Sequence, residues 1–167
     1  MKLHPFSYLT ICLFIFLISF SGGCMRLGVN LMGQPLLSNM VENISETKNI
    51  RLVKEGLAGQ VLLATAVTEI SPKNINLLTE TSFLYCAYGL FIEDEDPEYA
   101  KSLYETGKEY GIRALRQNRR FNNGLKAGKN ISGLTDFLDE EYARALCWAG
   151  INGGLSIMLR LDNPAAL

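Results

Sequence analysis

The sequence predicts an all-α fold built from antiparallel helical hairpins. Three observations lead there. Apolar residues recur at three- and four-residue steps over long stretches, the period of an amphipathic helix. Prolines stand where helices open, after an acid, an amide or a serine, as at Ser71-Pro72, Asp96-Pro97 and Asn163-Pro164. No run of β-branched residues alternates with polar ones, so no strand is expected.

The first element is a leader. Lys2 and His4 give a short polar start, and Phe6 to Phe20 is nearly all apolar. About 15 such residues suit the hydrophobic segment of a secretory signal better than a spanning helix, which needs about 20. Ser21, Gly22 and Gly23 are small, and Cys24 follows. The arrangement resembles the bacterial lipobox, with Ser21 where that motif usually has Leu. It implies a signal over residues 1–23 and a diacylglyceryl attachment at Cys24. Several acyl chains give stable anchoring where one gives marginal binding.

Residues 24–48 read as a tether and first helix. Gly28, Gly33 and Pro35 favour an irregular start, and Leu36 to Ile44 can turn helical. Residues 49–167 read as the helical domain proper. Ile50, Val53, Leu57, Val61 and Ala64 mark a helix that ends near Ile70, because Ser71-Pro72 disfavours continuation. Gly56 and Gly59 each cost this helix about 1 kcal/mol relative to Ala, a loss that close packing of another helix would offset.

The next helix is expected to start with Ser71 as cap and Pro72 at its first position. Its apolar face is Leu77, Leu78, Phe83, Leu84, Ala87, Tyr88, Phe91 and Ile92. The acidic run "EDEDPE" ends it and opens the following one, with Asp96 as cap and Glu98 favoured by the helix dipole. A calcium loop would need a ligand spacing and a glycine turn that the run lacks.

The helix from Pro97 has the cleanest period: Ala100, Leu103, Tyr104, Gly107, Gly111, Ala114 and Leu115 share one stripe, with Tyr110 on its border. Small residues in its middle invite a close neighbour. The helix is expected to stop near Phe121, in a basic region spanning Arg113 to Lys129, with a loop to Ser132 or Thr135. "TDFLDEEYARALCWAGINGGLSIMLRLD" reads as one or two helices bent at Gly150, Gly153 or Gly154. "DNPAAL" opens a further helix at Pro164 and the chain stops within a turn, too short to nucleate alone. Stacked hairpins of this sort are tetratricopeptide-like, although the full repeat signature is missing and the step from Pro72 to Pro97 is shorter than the usual repeat of about 34 residues.

Composition narrows the function. The net charge is −1, which disfavours nucleic acid as a partner. The single histidine, His4, lies in the leader, which removes the commonest general base and metal ligand from the rest. No phosphate loop, dinucleotide fingerprint or Cys-x-x-Cys is present. An enzyme is therefore not expected, and neither is a cofactor or a metal; Asp136, Asp139 and Glu140 would be the only acids to test. Cys86 and Cys147 lie in apolar stretches and read as buried free thiols. The helical aromatics read mainly as core, with some lining a groove for an apolar ligand or a partner helix.

Five segments in order then carry a family resemblance: "LVKEGLAG", "SPKNINLL", "YCAYG", "DPEYAKSLYETGKEYGIRAL" and "ALCWAGINGG". Together they resemble the T component (TatT) of tripartite ATP-independent periplasmic (TRAP) transporters. The resemblance implies an extracytoplasmic lipoprotein anchored in the bacterial envelope on its periplasmic face. It also implies a homotrimer with a central pore, docking of the solute-binding P component, and grooves for hydrophobic or organic-acid ligands. Family members are about twice as long, so the chain reads as a truncated copy covering the N-terminal half. No catalytic motif transfers. Tyr85, Tyr88, Tyr104, Tyr110 and Trp148, in or beside the matched segments, are the candidate contacts for ligand or partner. The alternative is a generic helical-repeat interaction lipoprotein of the envelope.

Overall fold

The computed structural model describes residues 28–161. A π-helical turn over Val29–Gly33 leads into α1 (Gln34–Glu46), followed by α2 (Ile50–Ile70), α3 (Ile75–Ile92), α4 (Pro97–Leu115), α5 (Arg119–Lys126) and α6 (Ala143–Leu161). Three single 3-10 turns, Ile131–Gly133, Thr135–Phe137 and Glu140–Tyr142, link α5 to α6. Among the described residues there is no strand, so the all-α expectation holds. Cys24, the rest of the leader and Pro164 lie outside the described residues.

Asparagine and aspartate set most of the boundaries. The side chains of Asn49, Asn74 and Asp96 each accept a bond from the backbone N–H three residues on, at 3.1, 3.1 and 3.0 Å. Each satisfies an N–H that the first helical turn leaves unpaired. Asp96 and Pro97 open α4 as the sequence indicates. The expected start of α3 at Ser71-Pro72 is corrected. Ser71 ends α2 by donating its N–H to the Thr68 carbonyl, and Asn74 donates to the Ser71 carbonyl. Residues 71–74 are thus spent on reversing the chain, and Asn74 is the cap.

Three other expectations change. Residues 28–35 are helical rather than a loose lead-in, and Pro35 fits the first turn of α1, where no N–H is needed. α4 ends at Leu115, not near Phe121. Asn118 starts a separate helix by accepting from the N–H groups of Arg120 and Phe121 while its own amide donates to the Phe137 carbonyl at 2.7 Å. α6 runs unbroken through Gly150, Gly153 and Gly154, and the residues before it form 3-10 turns.

α3 is the centre, packed by α2, α4 and α6. By length and composition it could cross a membrane, yet half of that span is buried inside the bundle, where it serves as the core helix. Leu57, Val61 and Ala64 of α2 meet Leu77 and Leu84 of α3 in one cluster, which Leu37 of α1 joins. Leu78, Ala114, Leu115, Phe121, Leu134 and Tyr142 form a second, which α5 closes with Phe121 wholly buried. Burying each such leucine or phenylalanine is worth about 1.5–3 kcal/mol.

Tyr85 against Tyr110 and Gly89 against Tyr104 show that α3 and α4 are antiparallel. Asn152 at Gly107 and Ala149 at Gly111 show the same for α4 and α6. Val67 at Gly33 places the start of α1 beside the end of α2. One end of the bundle therefore gathers the chain entry, the α2–α3 turn, α5 and the start of α6. The other gathers the α1–α2 and α3–α4 turns.

Candidate functional site

Three helices converge on an aromatic and charged ridge. Tyr85 of α3 and Tyr110 of α4 stack with centroids 5.6 Å apart and planes 16° apart. The Arg113 guanidinium lies 4.7 Å from the Tyr110 ring centre, one turn further along α4. Glu69 of α2 accepts from the Tyr110 hydroxyl at 3.0 Å and from Arg113 Nη1 at 2.6 Å. The Tyr85 hydroxyl is 3.1 Å from Thr65 Oγ1. The side chain of Glu69 is half exposed and that of Arg113 is 25% exposed, so the ridge faces solvent along one edge.

The charges respond to this geometry. The Arg113 bond holds the Glu69 carboxyl below the usual carboxylate range, with help from the Tyr110 hydroxyl. Arg113 is raised in turn, chiefly by Glu69. Burial, then the Glu69 bond, pushes the Tyr110 phenol up, so it stays a donor at neutral pH. Tyr85 covers one face of the Tyr110 ring and Arg113 lies over it as well, so what the ridge presents to solvent is chiefly the Glu69–Arg113 ion pair at the edge of a largely buried tyrosine stack.

The other candidates are placed differently. Tyr88 meets Tyr99 edge-on at 6.1 Å on the α3–α4 face. Trp148 of α6 packs on Phe83 at 4.8 Å, on another side of α3. Tyr104 is fully buried, and its hydroxyl donates to Glu93 at 2.5 Å. Burial and that carboxylate raise its phenol far above the ordinary value. Of the five aromatics, only Tyr85 and Tyr110 share one constellation. Cys86 is buried and free, with its thiol raised to about 11, mainly by burial. Cys147 is also free but exposed on α6, contrary to the expectation that both thiols are buried.

Several partners escaped the sequence reading. Glu69 carries no local signal in the sequence, because its role depends on where α4 lands. Asn152 is fully buried between α3, α4 and α6. Its amide donates to the Ser82 carbonyl at 3.1 Å and the Trp148 carbonyl at 2.9 Å, while Ser82 Oγ donates to the Gly107 carbonyl at 2.7 Å. Glu80 is 2% exposed and paired with Arg144 at 2.8 Å. A signal existed for these two, since Glu80 is the sole charge within α3 and Asn152 interrupts an apolar stretch.

The basic residues also move. Arg119 and Arg120 open α5 and Lys126 closes it, in place of the expected helix end followed by an exit loop. Arg120, Asn123, Lys129 and Phe137 line an open depression of about 310 Å³. Among the described residues no group of three or more His, Cys, Asp and Glu is placed to hold a metal ion.

No curated protein and no solved structure matches the chain. A family model does, over residues 46–167, covering α2 to α6 and the ridge; its description is TRAP transporter T-component.

Proposed function

The chain belongs to the TRAP transporter T-component family, and from that premise we propose that it is a lipid-anchored accessory protein of such a transporter. It stands on the periplasmic face of the bacterial envelope, held by acyl chains on Cys24. It scaffolds the solute-binding P component and offers its aromatic ridge to a hydrophobic or organic-acid ligand. The family match carries this reading, because it spans α2 to α6. The ridge supports it through its charges: Arg113 and Glu69 hold a cation and an anion at the solvent-facing edge of the Tyr85–Tyr110 stack. Assembly as a homotrimer belongs to the same proposal.

The family is a transport accessory, and the proposed role requires binding without bond-making. The test is capture of the P component encoded in the same genome by the full-length chain in detergent. Enrichment over an unrelated lipoprotein is expected, and it should fall when Tyr110 and Arg113 are both changed to Ala. No enrichment by the unaltered chain would overturn the scaffold role.

A further inference from the structure

The two ends of the bundle differ in charge, and the difference follows the tether. Residues 113–129 contain six cations and no carboxylate. Of these, Arg116, Arg119, Arg120, Lys126 and Lys129 are all exposed. Among the described residues none of the five joins an ion pair, whereas Arg113 is committed to Glu69. Their orientation is fixed from inside: Phe121 is wholly buried, and Gly124 lies so close to Leu134 that an added Cβ would overlap its methyl group. α5 cannot roll without exposing that face.

The chain enters at this same end. Gly33 abuts Val67 near the close of α2, and Arg113 reaches Glu69 at 2.6 Å from α4. Leu31 and Met32, in the entry turn, are 67% and 76% exposed. The far end carries Glu93, Asp94, Glu95 and Asp96 in the α3–α4 turn, with one of them, Glu95, paired to Lys54.

We infer that the basic end, α5 with its flanking turns, rests on the anionic phospholipid surface at which the chain is anchored, with Leu31 and Met32 dipping into the interface. The occupant is identified by charge and by reach. Cys24 is four residues before Gly28, so whatever anchors it holds this end within a few residues' span of the headgroups. Anionic headgroups attract lysine and arginine held within a Debye length, and a polybasic patch supplies the second signal that a lipid anchor needs. Asp136, Asp139, Glu140 and Glu141 are exposed in the turns before α6 at the same end, so the cationic surface is that of α5 and its immediate flanks. The acidic α3–α4 turn then projects away from the membrane. The inference goes beyond the proposed function and borrows from it only the anchor at Cys24.

The test is amide hydrogen exchange on the full-length chain reconstituted in vesicles of phosphatidylcholine alone or mixed with phosphatidylglycerol. Residues 28–36 and 116–129 should exchange roughly tenfold more slowly on the anionic vesicles, about what one or two desolvated charges supply. Residues 93–98 should not change. The contrast should vanish at roughly 0.5 M salt and when Arg116, Arg119, Arg120, Lys126 and Lys129 are all changed to Glu. If that variant does not fold, the salt arm on the unaltered chain decides. Equal exchange on both vesicles, or protection that survives salt, overturns the inference. Palmitate labelling of Cys24, read separately, tests the anchor itself.

Discussion

Two glycine-bearing faces of the molecule have opposite characters. On α4, a Cβ added to Gly111 would stand 3.0 Å from backbone atoms of Ala149, and one added to Gly107 would meet the Asn152 side chain at 2.6 Å. On α2, Gly59 has nothing within 4 Å and Leu62 beside that face is 72% exposed. The α4–α6 seam is a close crossing with a buried polar network inside it. The outer face of α2 is open. The same residue type marks a contact in one helix and an empty surface in the next, so composition alone does not say which helices touch. The notion that Gly56 and Gly59 admit a closely packed helix is not met: Gly56 meets only the Gln60 side chain of its own helix.

The contrast can be broken most directly at Gly111. Gly111→Val forces the α6 backbone away, and a loss of about 3 kcal/mol or more is expected from urea unfolding monitored by circular dichroism. An unaltered midpoint would mean that α4 and α6 are not in contact there. Within the same seam, Asn152→Ala removes the side-chain donor that the Ser82 and Trp148 carbonyls accept in addition to their helical N–H, and leaves a gap against Gly107; about 2 kcal/mol should be lost, and Ser82→Ala should add much less than its own effect in the double variant. Fully additive losses would dissolve the network.

On the open face the sign reverses. Gly59→Ala should stabilise by about 0.5–1 kcal/mol, because a helical Ala replaces a helical Gly and nothing stands in its way. Destabilisation would reveal a partner on that face. The smallest effect belongs to the ridge that joins α2 to α4. Glu69 has a lowered folded pKa, so its pairing contributes stability above the ordinary carboxylate value of 4.5 and loses it as pH falls through the folded pKa. Glu69→Gln should flatten that acid limb. The difference should stay under about 1 kcal/mol, since the carboxylate is half exposed and screened. Identical acid limbs would detach Glu69 from Arg113.

The sequence made the α4 stripe readable because its signal is local. Ala100, Leu103, Tyr104, Gly107, Gly111, Ala114 and Leu115 follow one period, and all seven are buried. Asp96-Pro97 was equally plain, since cap and first-turn proline are adjacent. Ser71-Pro72 misled because the same pair also suits a chain reversal, and only the antiparallel packing of α2 on α3 decides between them. Phe121 misled because its apolarity fits a continued α4 as well as a short α5 turned inward. Glu69 with Arg113, and Ser82 with Asn152, were illegible for another reason. Each pair joins separate helices, and the register between helices is written in no local pattern. Of the aromatic candidates, Tyr85 and Tyr110 meet because α3 and α4 run antiparallel at the right offset, while Tyr104 is drawn under Gly89 into the core.

The lone carboxylate on α3 bears on biosynthesis as well as packing. If the chain is exported as proposed above, a helix of this length and hydropathy, met by the export machinery before any tertiary contact exists, would invite lateral release into lipid. A charged side chain raises the insertion free energy by about 2.5–3.5 kcal/mol at mid-helix, and by less nearer an end. On the proposed reading, Glu80, in the second turn of α3, would bias the unfolded polypeptide toward passing through the channel, and its partner Arg144, 2.8 Å away in the fold, would neutralise that charge only once α6 had been delivered to the same side.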